Sequence, residues 1–418
     1  MRSPSTIPPP QTIEAELRHV VYALSDALDL VGVDDVAHGK RVGIMAAECA
    51  RALGLDDTET TFLFDLGLLH DIGVSSTNMH QHLVGEFDWA GSQDHAIVGH
   101  RLLADFKPLA AMALPVRHHH TRWDRLVAAG VDAQTIRRAN LILLVDRVDA
   151  LTAPYYASNS MLLHKDAIRE QIASRAGTYF DPALVEAFLV ASRSEAFWLL
   201  LEPRSIQCYL QDMLARGESS IATVTELKQL ATIFSCIVDA KSPFTAEHSL
   251  GVARLSRLLA QKMGINEFRC DMLEIAGLLH DLGKLRVPDE ILDKPARLAP
   301  EERMIINAHS FETFQILRNI DGFEEISRWA AYHHEEPDGS GYPFRIGVDA
   351  MPLEARILRV ADIFQAMAQD RPYRPGLAAA EVMTFLEGLV RDGRIDGEVV
   401  GVARLHLDEA MLAARPTH

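Results

Sequence analysis

The chemistry this chain can do is concentrated in its histidines and aspartates. It has 18 histidines, and several of them fall into an ordered set: His248, the adjacent pair His280 and Asp281, His309, the pair His333 and His334, and Asp362. Imidazole and carboxylate together are the ligands of borderline transition metals such as manganese, iron, nickel and zinc. Seven such groups exceed the needs of one ion. An adjacent His-Asp pair lets the carboxylate bridge two ions while the imidazole binds one. A two-metal site polarises a phosphoryl oxygen and generates a nucleophile from water at neutral pH. Phosphoryl transfer to water is therefore the expectation from the residue types. Gly283 is expected as the residue just beyond a helix end, which sets the ammonium of Lys284 near the metals and suits it to a phosphate oxygen.

The same set occurs a second time, earlier in the chain: His38, His70 and Asp71, His95, His119 and His120, and Asp146. His38 to His70 and His248 to His280 are both 32 residues apart; His95 to His119 and His309 to His333 are both 24. Segment 38–55 (HGKRVGIMAAECARALGL) aligns without a gap on 248–265 (HSLGVARLSRLLAQKMGI), and 66–73 (LGLLHDIG) on 276–283 (AGLLHDLG). Independent histidines do not recur in this order at these intervals. The repeat implies two copies of one domain, each with a metal site.

The elements that must position these residues are helices. Val42, Met45, Ala46, Cys49 and Leu53 follow the 3,4 spacing of a buried helix face, as do Val252, Leu255, Leu258, Leu259 and Met263. Alternating strand patterns bounded by turn pairs are scarce, so the fold class is all-α: two tandem helical domains. The expected boundaries are a disordered Pro-rich tail over 1–11, an N-terminal domain over 12–202, a linker over 203–222 containing Pro203 and ARGESS, and a C-terminal domain over 223–418. Apolar residues make up 48% of the 418, enough to bury real cores. The net charge of −17 argues against a protein that tracks nucleic-acid phosphates, so no DNA partner is expected. Cys49, Cys208, Cys236 and Cys270 form neither a disulfide framework nor a CxxC knuckle. No apolar run of membrane-spanning length and no signal-like start is seen. Cytoplasmic localisation without membrane insertion is expected; oligomeric state is left open.

The C-terminal copy resembles an HD-GYP domain of the HD superfamily of metal-dependent phosphohydrolases. The resemblance rests on HDLGK (280–284), HHEEPDGSGYP (333–343), PLEARILRVAD (352–362) and DRPYR (370–374), and covers about residues 223–390. It implies a two- or three-metal helical centre that hydrolyses a cyclic dinucleotide, cyclic di-GMP or 3′,3′-cyclic GMP-AMP, to a linear dinucleotide or mononucleotides. It puts the seven C-terminal residues at the metal-ligand positions, with manganese, iron or nickel as the ions, and Lys284 on a substrate phosphate. Asp281 and Lys284 are thus the expected catalytic pair. Arg371 and Arg374 fall at basic positions near the phosphates. Glu335, Asp338, Gly339, Gly341, Tyr342 and Pro343 fall on the signature loop, which shapes the rim, contacts substrate through Gly341 and Tyr342, and offers a surface to a signalling protein.

The departures are informative. Phe244 stands where three-metal members carry Glu, so two ions are expected. Gln365 stands where many members carry Asp, and Glu336 where Arg is usual. The N-terminal copy resembles a plain HD domain: its motif HHTRWDRLVAAG keeps Asp124 but has no GYP, Val74 replaces the lysine, and Tyr155 stands at the Arg371 position. Asp149 retains the carboxylate that Gln365 lost, and Asp34 sits at the third-metal position, where, next to Asp35, it reads equally as a solvated N-terminal helix cap. All seven ligands remain while the substrate-side groups differ. This suggests retained metal chemistry on another substrate, as a 5′-nucleotidase acting on the linear product. A non-catalytic receptor that binds cyclic dinucleotide and signals through a partner is the competing reading.

Overall fold

The computed structural model describes residues 12–32, 37–85, 91–216, 220–242, 247–370 and 375–415. Among the described residues every regular element is helical; the only pairings of strand type are two isolated bridges, Glu16 with Ile221 and Ala176 with Phe180. The all-α expectation holds. The chain divides into two compact units, one within Leu24–Ser219 and one that joins Met1–Ala23 to Ser220–His418.

In the first unit the helices that carry or support the ligands are α1 (His38–Ala52), α2 (Asp57–Leu69), α3 (Thr77–Gly85), α4 (Ser92–Ala104), α5 (Ala110–His118) and α6 (Ala133–Tyr156). A further helix, α7 (Pro203–Arg216), closes the unit. Asp56 starts α2 by accepting the Glu59 N–H at 2.8 Å, and Asp132 starts α6 by accepting that of Thr135 at 2.9 Å; both satisfy donors that a helix start leaves unpaired. α1 and α2 approach closely because both are glycine where they cross: a Cβ on Gly67 would lie 2.5 Å from the Gly43 Cα. Their aligned ends bring His38 beside His70.

The second unit repeats the plan with α8 (Val224–Ala240), α9 (His248–Lys262), α10 (Glu267–Leu279), α11 (Pro300–Asn307), α12 (His309–Leu317), α13 (Glu324–Ala331), α14 (Leu353–Ala368) and α15 (Leu407–Ala414). Thr223 and Glu226 cap α8 reciprocally, the Thr223 hydroxyl accepting from Glu226 N at 3.2 Å and Glu226 accepting from Thr223 N at 2.8 Å. Asn266 caps α10. The core is lined by Leu255, Leu273, Trp329, Leu358 and Phe364, all buried.

The division differs from the expected one at both ends of the N-terminal copy. Most of the segment expected as a linker is α7. Ile206, Tyr209 and Met213 lie at i, i+3 and i+7 and are buried, and Tyr209 stacks on Phe64 with ring centroids 5.7 Å apart. Pro203 opens this helix, a position where its missing N–H costs nothing. Residues 12–23 group with the second unit instead: Ala222 N donates to Ala15 O at 2.8 Å and Leu17 N to Ser220 O at 2.9 Å. Residues 1–11 lie outside the described residues. No described helix is long and apolar enough to cross a membrane.

Candidate metal centres

In the second unit the seven expected residues converge from five places. His248 opens α9, His280 and Asp281 follow α10, His309 opens α12, His333 and His334 follow α13, and Asp362 sits within α14. Asp281 divides the cluster. Its Oδ2 lies 3.6 Å from His248 Nε2 and 3.3 Å from His280 Nε2, while Asp362 Oδ1 lies 3.3 Å from His248 Nε2. Its Oδ1 lies 3.3 Å from His309 Nε2 and 3.7 Å from His333 Nε2, and those two nitrogens are 3.1 Å apart. Ligands at about 2.1 Å from one ion stand roughly 3–3.5 Å from each other, so each half has the spacing of a coordination shell.

The proton positions favour the same conclusion. His280 Nδ1 faces the Gly277 carbonyl at 2.7 Å, His309 Nδ1 that of Ile306 at 2.6 Å, and His333 Nδ1 that of Ala330 at 2.6 Å. A carbonyl only accepts, so each Nδ1 carries the proton and each Nε2 turns a lone pair inward. Two buried atoms, His280 Nε2 and Asp281 Oδ1, have no hydrogen-bond partner. Orphaned buried acceptors are costly in any fold and point to an absent ion. Burial, reinforced by neighbouring imidazoles, holds His333 and His334 well below the usual histidine range and therefore neutral, as ligation requires. Burial opposes the Asp281 charge, but the Lys284 ammonium beside it favours the ionised form, and the carboxyl is held far below its ordinary value.

The first unit forms the same figure. Asp71 Oδ1 lies 3.2 Å from His95 Nε2 and 3.6 Å from His119 Nε2; its Oδ2 lies 3.7 Å from His38 and 3.6 Å from His70. Asp146 Oδ1 stands 3.5 Å from His38 Nε2. The ligand atoms of Asp71, His95, His119 and His120 lie within 4.8 Å of one another, and so do those of His38, His70 and Asp146. Asp71 Oδ1 and His120 Nε2 are buried without a hydrogen-bond partner. Both expected ligand sets are thus brought together.

Two glycines follow from backbone proximity. A Cβ on Gly283 would stand 2.1 Å from the His309 carbonyl oxygen, and one on Gly73 2.0 Å from that of His95. This corrects the expected role of Gly283. It lies in a 3-10 turn (Leu282–Arg286) without a left-handed φ, and its hydrogen side chain is what lets the next ligand helix approach.

Lys284 stands beside the cluster, its Nζ 2.5 Å from Asp281 Oδ2. Tyr342 stacks on His334 at 4.8 Å between ring centroids. Gly341 packs against the chain at Glu335 and Glu336, where a Cβ would come within 2.4 Å of Glu335 Cα. Arg371, Arg374, Phe244 and Asp34 lie outside the described residues. In the first unit Val74 is buried at the lysine position, and Tyr155 stacks on His164 at 3.7 Å.

Sequence reasoning missed the scaffold of the signature loop. Glu335 is fully buried and accepts from three successive backbone N–H groups, Phe344 at 2.6 Å, Arg345 at 3.2 Å and Ile346 at 3.0 Å. Glu336, noted only as a departure, accepts from Arg394 Nε at 2.9 Å and Nη2 at 2.8 Å, from Arg359 Nη2 at 2.6 Å and from the Ser340 hydroxyl at 2.8 Å. Arg359 also donates to the His333 carbonyl at 3.3 Å, which ties the loop to a ligand. Arg394 lies 58 positions from its partner and outside any motif; the reversed charge at 336 was the signal that could have prompted a search for it. In the first unit His80 also went unremarked, though its ring lies 6.0 Å from that of His38.

Two such centres on two repeated helical units define a tandem HD-domain protein. HD-domain family models match residues 36–151 and 232–399. A curated relative, the 3′3′-cGAMP-specific phosphodiesterase 1 of Vibrio cholerae, is 36% identical over 391 residues, covering 92% of this chain and 90% of that protein. The cyclic di-GMP phosphodiesterase of Thermotoga maritima is 33% identical over 185 residues, 44% of this chain and 50% of the relative. A crystal structure of a cyclic GMP-AMP specific phosphodiesterase from Vibrio cholerae superposes with a TM-score of 0.63 at 25% identity, over 94% of this chain and 98% of the other. The chain belongs to the HD-GYP cyclic-dinucleotide phosphodiesterases, within the HD superfamily of metal-dependent phosphohydrolases.

Proposed function

We propose that the second unit hydrolyses a phosphodiester of a cyclic dinucleotide, and that 3′,3′-cyclic GMP-AMP is its preferred substrate. The observation that carries the reaction class is the two-part cluster around Asp281, with a lysine on the shared carboxylate. The substrate preference is supported by a relative specific for that nucleotide, similar across both units, whereas the Thermotoga cyclic di-GMP enzyme matches 44% of this chain.

His248, His280, Asp281, His309, His333, His334 and Asp362 would hold two divalent transition-metal ions, manganese, iron or nickel. When bound, the ions polarise a phosphoryl oxygen and acidify a water. The protein's part is positional and electrostatic. Asp281 presents one oxygen to each half of the cluster. Lys284 places a positive charge beside them, where charge develops on the phosphoryl oxygens. Tyr342 forms the wall at His334 against which substrate lies, and Gly341, packed against Glu335 and Glu336, lets the loop fold tightly enough to hold it there. The signature loop, braced through Glu335 and Glu336, is also the surface offered to a protein partner. The first unit, with a complete ligand set but Val74 in place of lysine, acts on the terminal phosphate of the linear product.

The test is turnover of 3′,3′-cyclic GMP-AMP and cyclic di-GMP by the purified chain with Mn²⁺ or anaerobic Fe²⁺, with products resolved by chromatography. Faster consumption of 3′,3′-cyclic GMP-AMP is expected. Binding without consumption of either would establish the receptor reading instead.

A further inference from the structure

The two centres differ behind the first histidine of each set. In the first unit His38 Nδ1 lies 2.8 Å from Asp149 Oδ2, and Asp149 is clamped by Arg41, Nε to Oδ1 at 2.6 Å and Nη2 to Oδ2 at 2.9 Å, and by the Tyr156 hydroxyl at 2.6 Å. In the second unit the equivalent nitrogen, His248 Nδ1, lies 2.5 Å from Gln365 Oε1. Gln365 is fully buried, and its Nε2 lies 3.2 Å from Gln369 Oε1 and 3.3 Å from the Ala414 carbonyl. An amide nitrogen among acceptors donates, so Oε1 faces the imidazole and accepts its proton. His248 Nε2 is left as the ligating lone pair.

The exchange involves two positions at once. In the gap-free alignment Gly251 stands where Arg41 stands, one helical turn after the histidine. A Cβ on Gly251 would lie 2.9 Å from Gln365 Cγ, 3.0 Å from its Nε2 and 2.7 Å from the Ala414 carbonyl. An arginine does not fit there, and without it a buried carboxylate would lack its counter-charge. Arg41 with Asp149, and Gly251 with Gln365, are therefore two self-consistent solutions to one task.

A hydrogen-bond partner fixes the tautomer of a ligating histidine and raises its basicity, and an anionic partner raises it more than a neutral one. We propose that Gln365 is a positioning residue that sets the metal affinity of the second centre, through His248, below that of the first, where Asp149 does the same work with a charge. This deepens the metal-ligand reading above and rests on it. The two centres then fill in order, the first before the second, and a weak chelator empties them in the reverse order.

The experiment is a Mn²⁺ titration of the metal-free full-length chain, with free ion followed by electron paramagnetic resonance. Two classes of site are expected in the wild type. Q365A should weaken the looser class about 10- to 100-fold and leave the tighter one unchanged. Q365E should restore or tighten the looser class, and D149N should loosen the tighter class alone. The thermal transition in excess chelator separates a packing role from a ligand-orienting one: Q365E, a buried carboxylate without the counter-charge that Arg41 gives Asp149, should melt below wild type while its isotherm tightens, a pair of opposite signs that a packing defect does not give. If Q365A loses its cooperative transition, Q365E and D149N carry the test alone. Isotherms of Q365E and D149N that match wild type overturn the proposal. A wild-type chain that binds no Mn²⁺ overturns the metal-ligand reading itself.

Discussion

Asp281 and Lys284 touch each other and do different work, so their removal should be distinguishable. Asp281 supplies an oxygen to each half of the centre; its side chain is 2% exposed. Asp281→Ala should disassemble the centre, lowering bound metal per chain by about the content of one unit and abolishing turnover there. Lys284 contributes a charge-assisted contact worth roughly 1.5–3 kcal/mol. Lys284→Met should keep the metal and lower kcat/KM about 10- to 100-fold. Metal analysis after gel filtration decides the ranking, and wild-type stoichiometry in Asp281→Ala would reverse it. Glu336 is a second residue-scale case. The hydrogen bonds from Arg394, opposed by burial, hold its carboxyl down at about 2, against about 4.3 in an unfolded chain. A depressed acid stabilises the fold above the unfolded value and loses that contribution as pH falls toward the folded one. Glu336→Gln should therefore be less stable than wild type at pH 7 by about 1–3 kcal/mol, and urea midpoints of the two should converge as pH falls from about 5 to about 2. A gap that stays constant over that range would remove the charge from the explanation.

At the scale of elements, each centre depends on helices brought closer than ordinary side chains allow. The Gly283 contact with the His309 carbonyl is the tightest case in the second unit. Gly283→Ala must push the start of α12 away, and His309 with it. The expected result is loss of the ion held by His309, His333 and His334, with α9 and α10 still folded. Metal content and far-UV circular dichroism measure the two parts separately, and full metal content would show that α12 can move without cost. This level was partly legible in the sequence. The ligand sets were legible because coordination demands particular residue types, and the helices because burial demands their periodicity. The reason for Gly283 was not, since a glycine looks the same whether it serves a left-handed turn or a close approach. Glu335 and Arg394 were not either. Backbone capture by a buried carboxylate and a pair spanning 58 positions leave no local pattern. The helix Pro203–Arg216 was misjudged because a proline and a polar stretch signal a boundary more strongly than three apolar residues at helical spacing signal a face.

For the whole molecule the question is why two complete centres persist in one chain. Drift after duplication would erase ligands independently, because losing one leaves the others without purpose. Instead the first unit keeps all seven, and the structure brings them into the same two-part figure around Asp71. The differences fall on the substrate side: Val74 is buried where the second unit has Lys284, and Tyr155 stacks on His164. Metal retained with altered recognition groups fits a reaction on a related but smaller substrate, and hydrolysis in the second unit releases one, a linear dinucleotide with a terminal phosphate. A bound ion would also stabilise the first unit without any turnover, by mass action alone, so stability measurements cannot separate the two. Product analysis can. The double variant His70→Ala with Asp71→Ala removes one ligand from the His38 half and the shared carboxylate, while the second centre keeps its own seven. It should consume 3′,3′-cyclic GMP-AMP at about the wild-type rate but accumulate the 5′-phosphorylated linear dinucleotide, which the wild-type chain is expected to dephosphorylate. Supplied directly with that linear dinucleotide, the variant should release little inorganic phosphate. If phosphate release and the product spectrum match wild type, the first unit is a metal-stabilised domain and the second carries all the chemistry.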